Sequence, residues 1–139
     1  LEAALAEEAS PVRWLPFRPA SEVPYVLAAG DLHIVTVRRG LQGVVVPSKL
    51  YPILAAGRPV LAVAPEESDV ARIVRRTGCG LVADPDDPDA VARAVLTVYQ
   101  DRTRLAEMGQ RAREAAREYD RVKQLERFME LIESLTASP

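Results

Sequence analysis

The sequence predicts an α/β protein in which a parallel sheet is covered by helices on both faces and followed by a C-terminal helical tail. The run "PVLAVA" is apolar throughout, which is typical of a strand that is buried on both faces of a sheet. Segments with helical periodicity alternate with such runs along the chain, as in open α/β folds. From Asp101 onward the pattern is helical almost to the end.

The first elements are short. The runs "VRWLPF", over residues 12–17, and "DLHIVTV", over 31–37, are interpreted as strands. Between them, Ser21 has the hydroxyl of a helix cap, and the apolar residues that follow it recur at helical spacing. We therefore expect a strand, a capped helix and a second strand.

The later elements have clearer boundaries. "PVLAVA", over residues 59–64, predicts a third strand, and Ser68 predicts the cap of the next helix. Gly78 is the residue type preferred just past a helix end. The run "GLVAD" then predicts a strand, and Asp87 followed by Pro88 predicts the start of another helix.

Composition narrows the class of protein. The 139 residues are 48% hydrophobic with a formal charge of −2, which favours one domain and excludes a general attraction to nucleic acid or an anionic membrane. Cys79 lies in an apolar stretch and is expected to be a buried thiol. His33 lies in a strand pattern with no second imidazole nearby, so we expect a structural role and no metal site. No apolar run reaches about 18 residues, which predicts a cytoplasmic protein.

The chain opens on "LEAALAEEA", which has helical composition but no cap, strand or methionine before it. We therefore expect residues 1–139 to be a single, incomplete domain of a larger protein.

The stretch "GLQGVVVPSKLYPILAAGRPVLAV" suggests an anion site. Gly40 and Gly43 allow unusual dihedral angles and close approach to a ligand. Pro47 suits the first turn of a helix, where free amides attract anions, and Ser48 and Lys49 add a hydroxyl and a positive charge at the same end. The alternative is a simple turn followed by a solvated lysine.

Two arginines follow the second predicted strand. Arg38 and Arg39 lie at the end of that strand where ligands bind in open α/β sheets. A guanidinium matches phosphate oxygens in a bidentate fork, so a phosphate contact is one interpretation. A pair of solvated turn charges is the other.

The ordered series "PSKLY", "LAAGRPV", "GCGLV" and "DP" resembles a known family. It is similar to the C-terminal, nucleotide-sugar-binding domain of GT-B retaining glycosyltransferases of family 4, in the branch that acts in exopolysaccharide and colanic-acid-type assembly. The resemblance covers residues 12 to about 121. It implies a Rossmann-like domain, half of a GT-B fold, whose N-terminal acceptor domain is absent from this chain.

The resemblance also implies an activity. The full enzyme is expected to transfer a sugar from a nucleotide-diphosphate donor, a UDP-sugar, to a glycan or lipid-linked acceptor, without cofactor or metal. That reaction places it in the cytoplasm, or peripherally on the inner face of the membrane. The chain alone is expected to bind donor weakly and to be inactive.

Site residues follow from the resemblance position by position. Phe17 and Arg18 are expected to contact the nucleotide base. The residues expected to contact the phosphates and the sugar are Gln42, Gly43, Ser48 and Lys49. The second glutamate of a pair found in many relatives falls on Pro52 here, so Glu67 or Asp69 is expected to contact the ribose instead. Their alternative role is helix capping and first-turn charge.

Two other functions fit the same α/β pattern. One is a non-catalytic interaction module that uses its arginine- and glutamate-rich helices as the contact surface. The other is a nucleotide-sugar epimerase-like domain, which would need its own acid and base residues.

Overall fold

The computed structural model describes residues 11–41 and 43–136, and within them it has one three-stranded parallel sheet. The strands lie in the spatial order β1, β2, β3. The register places Ile34 beside Leu61, and Leu61 beside Leu81. The strands are β1 (His33–Thr36), β2 (Val60–Val63) and β3 (Gly80–Ala83).

Helices separate the strands and follow the last one. A short 3₁₀ turn, Ala20–Glu22, leads into the first helix, and a second, Arg117–Tyr119, joins the last two. The helices are α1 (Val23–Ala29), α2 (Leu50–Ala55), α3 (Asp69–Thr77), α4 (Pro88–Gln100), α5 (Arg102–Ala116) and α6 (Arg121–Thr136). The predicted α/β class, the parallel sheet and the helical tail are confirmed.

The core forms on both faces of the sheet because successive strand residues point to opposite sides. Val60 and Ala62 pack with residues of α2, α3 and α5 on one face. Leu81 packs on the other face with Val98 of α4, and its register neighbour Leu61 is fully buried. The central strand β2 is therefore apolar at every position, as "PVLAVA" predicted.

The predicted helix ends after β2 are confirmed. The Ser68 hydroxyl accepts a hydrogen bond from the Ala71 N–H at 3.3 Å and caps α3. Gly78 ends that helix with a left-handed φ of 64°. The Asp87 carboxylate accepts from the Ala90 N–H at 2.9 Å and caps α4.

Two predictions for the start of the chain are wrong. Residues 12–17 form no strand and their side chains are exposed, because an apolar run becomes a strand only where partner backbone is available, and Pro16 contributes no N–H. Ser21 does not cap α1, since it lies inside the 3₁₀ turn. There the Val23 N–H donates to the Ala20 carbonyl, which satisfies the donor that a cap at Ser21 would have bonded.

Cys79 and His33 have the structural roles expected of them. Cys79 is completely buried, and burial raises the pKa of its thiol. His33 Nε2 lies at hydrogen-bonding distance, 2.8 Å, from the Leu27 carbonyl oxygen and so joins β1 to α1. Among the described residues, no group of three or more His, Cys, Asp or Glu is placed to hold a metal ion.

The last helix is amphipathic but unburied. No residue of α6 is buried, and its large apolar side chains are well exposed. Across residues 11–41 and 43–136, we find no helix with the length and apolar character needed to span a membrane.

Candidate functional site

Three of the residues predicted to bind an anion, Pro47, Ser48 and Lys49, line a cavity of about 600 Å³ beside β1. The floor is β1 itself, whose outer edge pairs with no strand among the described residues. The walls are α1, the loop before α2, and the start of α2. The lining residues are Val23, Leu27, His33, Ile34, Val35, Thr36, Val45, Val46, Pro47, Ser48, Lys49, Pro52 and Ile53.

Two glycines shape the loop that leads into this cavity. Gly40 and Gly43 have φ values of 86° and 80°, a left-handed conformation that other residues rarely adopt. The Leu41 N–H donates to the Arg38 carbonyl at 3.1 Å, and the Val44 N–H donates to the Leu41 carbonyl at 3.2 Å. These local bonds fold the chain back on itself between β1 and α2.

The start of α2 differs from the prediction. The helix begins at Leu50, so Pro47 lies outside it in a preceding turn. That turn is closed by the Leu50 N–H, which donates to the Pro47 carbonyl at 3.0 Å and is no longer free for a ligand. Within the described part of the chain, the amides of Ser48 and Lys49 donate to no backbone carbonyl. The anion site is therefore narrower than a full helical turn of free amides.

Lys49 brings a positive charge to the cavity wall. The side chain is exposed, and no described residue forms an ion pair or hydrogen bond with its ammonium. A cation at a helix N-terminus opposes the helix dipole, so this position gives Lys49 no structural benefit. Together with the Ser48 hydroxyl and the two amides, the ammonium forms a set of donors suited to phosphate oxygens.

The residues expected to contact the nucleotide base, Phe17 and Arg18, are not part of this cavity. The Phe17 side chain is 97% exposed, in the segment before the first 3₁₀ turn. Arg18 pairs with Glu22 at 3.6 Å, and both side chains are about half exposed. The structure therefore does not bring Phe17 or Arg18 together with Ser48 and Lys49.

Glu67 and Asp69 also lie outside the cavity lining. Asp69 is the first residue of α3, where a carboxylate favours the helix dipole, and it lies 3.9 Å from Arg72. Burial, then the charges of Tyr119 and Asp69, raise the pKa of Tyr51 on α2. A ribose contact by either acid stays a prediction.

We call residues 38–46 the glycine loop, and the remaining expected residues, Gln42 and Gly43, fall within it in the sequence. Gly43 precedes the cavity wall and faces open space, since a Cβ there would meet nothing within 4 Å. Its left-handed φ, and not close packing, is what requires glycine. Gln42 lies outside the described residues.

Sequence reasoning missed the apolar part of the cavity. Val45 and Val46 line it beside Ser48, and each is 46% exposed. Three consecutive valines before "PSK" were the available signal, because apolar side chains in a loop between glycines have no core of their own to enter.

The family model and the two relatives that match this chain are all glycosyltransferases. The family model described as "Glycosyl transferases group 1" matches residues 1–101. A probable glycosyltransferase, WbjE, of Pseudomonas aeruginosa is 38% identical over 92 residues, which cover 66% of this chain and 23% of that protein. A putative colanic acid biosynthesis glycosyl transferase, WcaI, of Escherichia coli K12 is 26% identical over 85 residues, covering 60% of this chain and 21% of that protein.

The chain thus spans less than a quarter of the length of these curated relatives. No solved structure matches it significantly.

Proposed function

The chain belongs to the group 1 glycosyltransferases, and on that premise we propose that it binds the nucleotide-diphosphate sugar donor of a glycosyl transfer, with Ser48 and Lys49 against the diphosphate. Membership in this family confirms the resemblance drawn from the sequence. It also favours sugar transfer over an interaction module or an epimerase.

The observation that carries the proposal is the Lys49 ammonium at the cavity wall, which pairs with no residue that the structure describes. It stands beside two amides that donate to no described carbonyl and beside the Ser48 hydroxyl. The loop that presents them follows the carboxyl end of β1, where ligands bind in open α/β sheets. A diphosphate supplies the negative charge and the acceptors that these donors lack.

The chemistry assigned to this site is stabilisation of the leaving group. When the bond between the sugar's anomeric carbon and the diphosphate oxygen breaks, negative charge accumulates on the diphosphate. A donor aimed at such a developing charge contributes about 2.7–4 kcal/mol to transition-state stabilisation in other enzymes. Lys49 would act in this way without proton transfer. In this proposal the ammonium neutralises the charge, and no metal is required.

The finer assignments belong to the same proposal. Retention of anomeric configuration and a uridine donor follow from the family-4 resemblance. A glycan or lipid-linked acceptor follows from the same resemblance, and the name of WcaI, which links it to colanic acid biosynthesis, is consistent with a polysaccharide product. An enzyme that uses a lipid-linked acceptor would work in the cytoplasm at the inner face of the membrane.

Calorimetric titration tests the donor site. We expect UDP and UDP-sugars to bind the 139-residue chain, and Lys49→Ala to weaken the Kd by about tenfold or more, the range of a charge-assisted hydrogen bond. Lys123→Ala is the matched control, because Lys123 is an exposed lysine on α6, outside the cavity lining.

Two results decide the proposal. Equal heats for the wild type and Lys49→Ala would remove Lys49 from the site. Binding that disappears when a chelator is added would contradict the assignment of charge neutralisation to the ammonium.

A further inference from the structure

Arg39 joins the glycine loop to the opposite edge of the sheet. Its Nε donates to Asp86 Oδ2 at 2.7 Å, and its Nη2 donates to both carboxylate oxygens of Asp84, at 2.9 and 3.0 Å. Arg39 follows β1, whereas both acids follow β3. Because β2 lies between these strands, the guanidinium bridges across the carboxyl end of the central strand.

The acidic side of this bridge is firmly held. Asp84 Oδ1 also accepts the Asp86 N–H at 2.9 Å, and the Asp84 carbonyl accepts the Asp87 N–H at 3.2 Å. Asp87 in turn caps α4. The turn over residues 84–87 is therefore tied to a long helix of the packed core and can act as an anchor.

The loop side is held mainly by short-range bonds. Leu41 and Val44 bond to residues three positions earlier in the chain. The Arg39 bonds, in contrast, join residues 45 and 47 positions apart. Two glycines in the same loop, Gly40 and Gly43, widen the conformations that its backbone can reach. The long-range bonds of Arg39 therefore restrict the conformations that this loop can adopt.

We propose that Arg39 is a positioning residue that tethers the glycine loop to Asp84 and Asp86 and thereby sets Ser48 and Lys49 in place for the donor diphosphate. This inference rests on the proposed function. It replaces the phosphate contact considered for Arg39 from the sequence, since the bridge already engages Nε and Nη2 of its guanidinium.

The bonds of Arg39 to Asp84 and Asp86 are not expected to change the free energy of unfolding. Exposed ion pairs add little to global stability, and the side chains of Arg39, Asp84 and Asp86 are 51%, 52% and 68% exposed. Two nitrogens of one planar guanidinium nevertheless donate to two different carboxylates, and charge-assisted bonds of this kind restrict the orientation of the side chain. The expected consequence is an ordered loop and a tighter donor site at an unchanged melting temperature.

The test measures loop order and donor affinity separately, in the 139-residue chain. Backbone ¹⁵N relaxation should show order parameters for Leu41 and for Gly43 to Val46 falling from near 0.85 in the wild type to below about 0.6 in Arg39→Gln. Calorimetry should show the Kd for UDP weakened about three- to tenfold. Arg102→Gln is the matched control, because Arg102 makes a long-range exposed pair with Asp31 at 3.3 Å, before β1 and away from both the loop and the turn over residues 84–87.

A charge exchange separates positioning from direct contact. In Arg39→Glu combined with Asp84→Arg, the bridge can reform with its ends reversed. We expect loop order and UDP affinity to recover relative to Arg39→Glu alone. If Arg39 contacted phosphate directly, loop order would recover while UDP affinity stayed weak, which would overturn the positioning role.

The remaining outcomes are also decisive. Unchanged loop order in both Arg39→Gln and Asp84→Asn would overturn the tether, whatever happens to UDP affinity. Lost loop order with unchanged UDP affinity would overturn its role at the donor site. Should the wild type bind no UDP, the proposed function and the role at the donor site would fail together, while the relaxation data would still decide whether the tether exists.

Discussion

The chain before Leu50 and the chain after it are built differently. Among the described residues, every buried apolar side chain except Val35 and Val37 comes from residue 50 onward. The earlier part, residues 11–41 and 43–49, exposes large apolar side chains such as Trp14 and Tyr25. We call residues 50–116 the packed body and the earlier part the margin.

The difference separates stability from function. The packed body supplies most of both core clusters and the helix caps, and the margin adds the buried Val35 of β1 and Val37 just after it. The margin supplies the glycine loop, Ser48 and Lys49, which have few partners of their own. Substitutions in the body should therefore change folding, and substitutions in the margin should change binding.

The largest contrast is expected between two neighbours in the sheet. Leu61 is fully buried in β2, and its register partner Ile34 in β1 is 56% exposed. Leu61→Ala should lower the free energy of unfolding by about 2–5 kcal/mol, since it leaves a cavity in the core. Ile34→Ala should cost less than about 1 kcal/mol, because little apolar area is lost. Urea denaturation of both variants measures the two costs. Similar costs would mean that the margin is packed as tightly as the body.

Two glycines give the next contrast. A Cβ at Gly80 would lie 1.8 Å from the Val60 carbonyl oxygen, so Gly80→Ala must push β3 away from β2. We expect a loss of about 1–3 kcal/mol or more, the range for overpacking. Gly43→Ala meets no atom and should cost about 1–2 kcal/mol through its left-handed φ. Thermal unfolding compares the two variants, and a smaller loss for Gly80→Ala would contradict the assigned strand pairing.

Helix caps provide a smaller effect. Asp87 caps α4 in the body, and its replacement by alanine should cost about 1 kcal/mol. Ser21 makes no capping bond in the margin, so Ser21→Ala should leave the free energy of unfolding unchanged within error. Chemical denaturation of the pair checks this difference. A measurable loss for Ser21→Ala would restore the capping role that the sequence alone suggested.

The smallest effect concerns pH. Burial raises the pKa of the Cys79 thiol in the folded state, so the folded chain keeps this proton at a pH where the unfolded chain releases it. The contribution is complete below the unfolded cysteine pKa of about 8.5 and is lost as pH rises above it. The wild type should therefore lose stability relative to Cys79→Ala between about pH 8 and 10. Parallel curves for the two proteins would contradict the buried thiol.

Sequence reasoning succeeded where structure depends on local pattern. The caps at Ser68 and Asp87, the helix end at Gly78 and the strand "PVLAVA" are each encoded within a few residues, and all four are confirmed. The strand expected over residues 12–17 failed, because strand formation depends on a partner that the run itself does not specify.

In the candidate site, too, local features could be predicted from the sequence and long-range contacts could not. Ser48 and Lys49 could be found from sequence because hydroxyl, charge and helix start are adjacent in "PSK". The helix start itself was displaced by the turn that Pro47 closes. The pairing of Arg39 with Asp84 and Asp86 depends on the strand order, which brings together residues that are far apart in the chain.

The central claim is that a diphosphate contacts the amides of Ser48 and Lys49 at the end of the margin. Titration of the ¹⁵N-labelled chain with UDP, followed by amide chemical shifts, tests this claim most directly. We predict that the Ser48 and Lys49 signals move furthest, with smaller shifts in Gly43 to Val46 and none in α6. Saturable shifts elsewhere in the chain, with Ser48 and Lys49 unmoved, would contradict it.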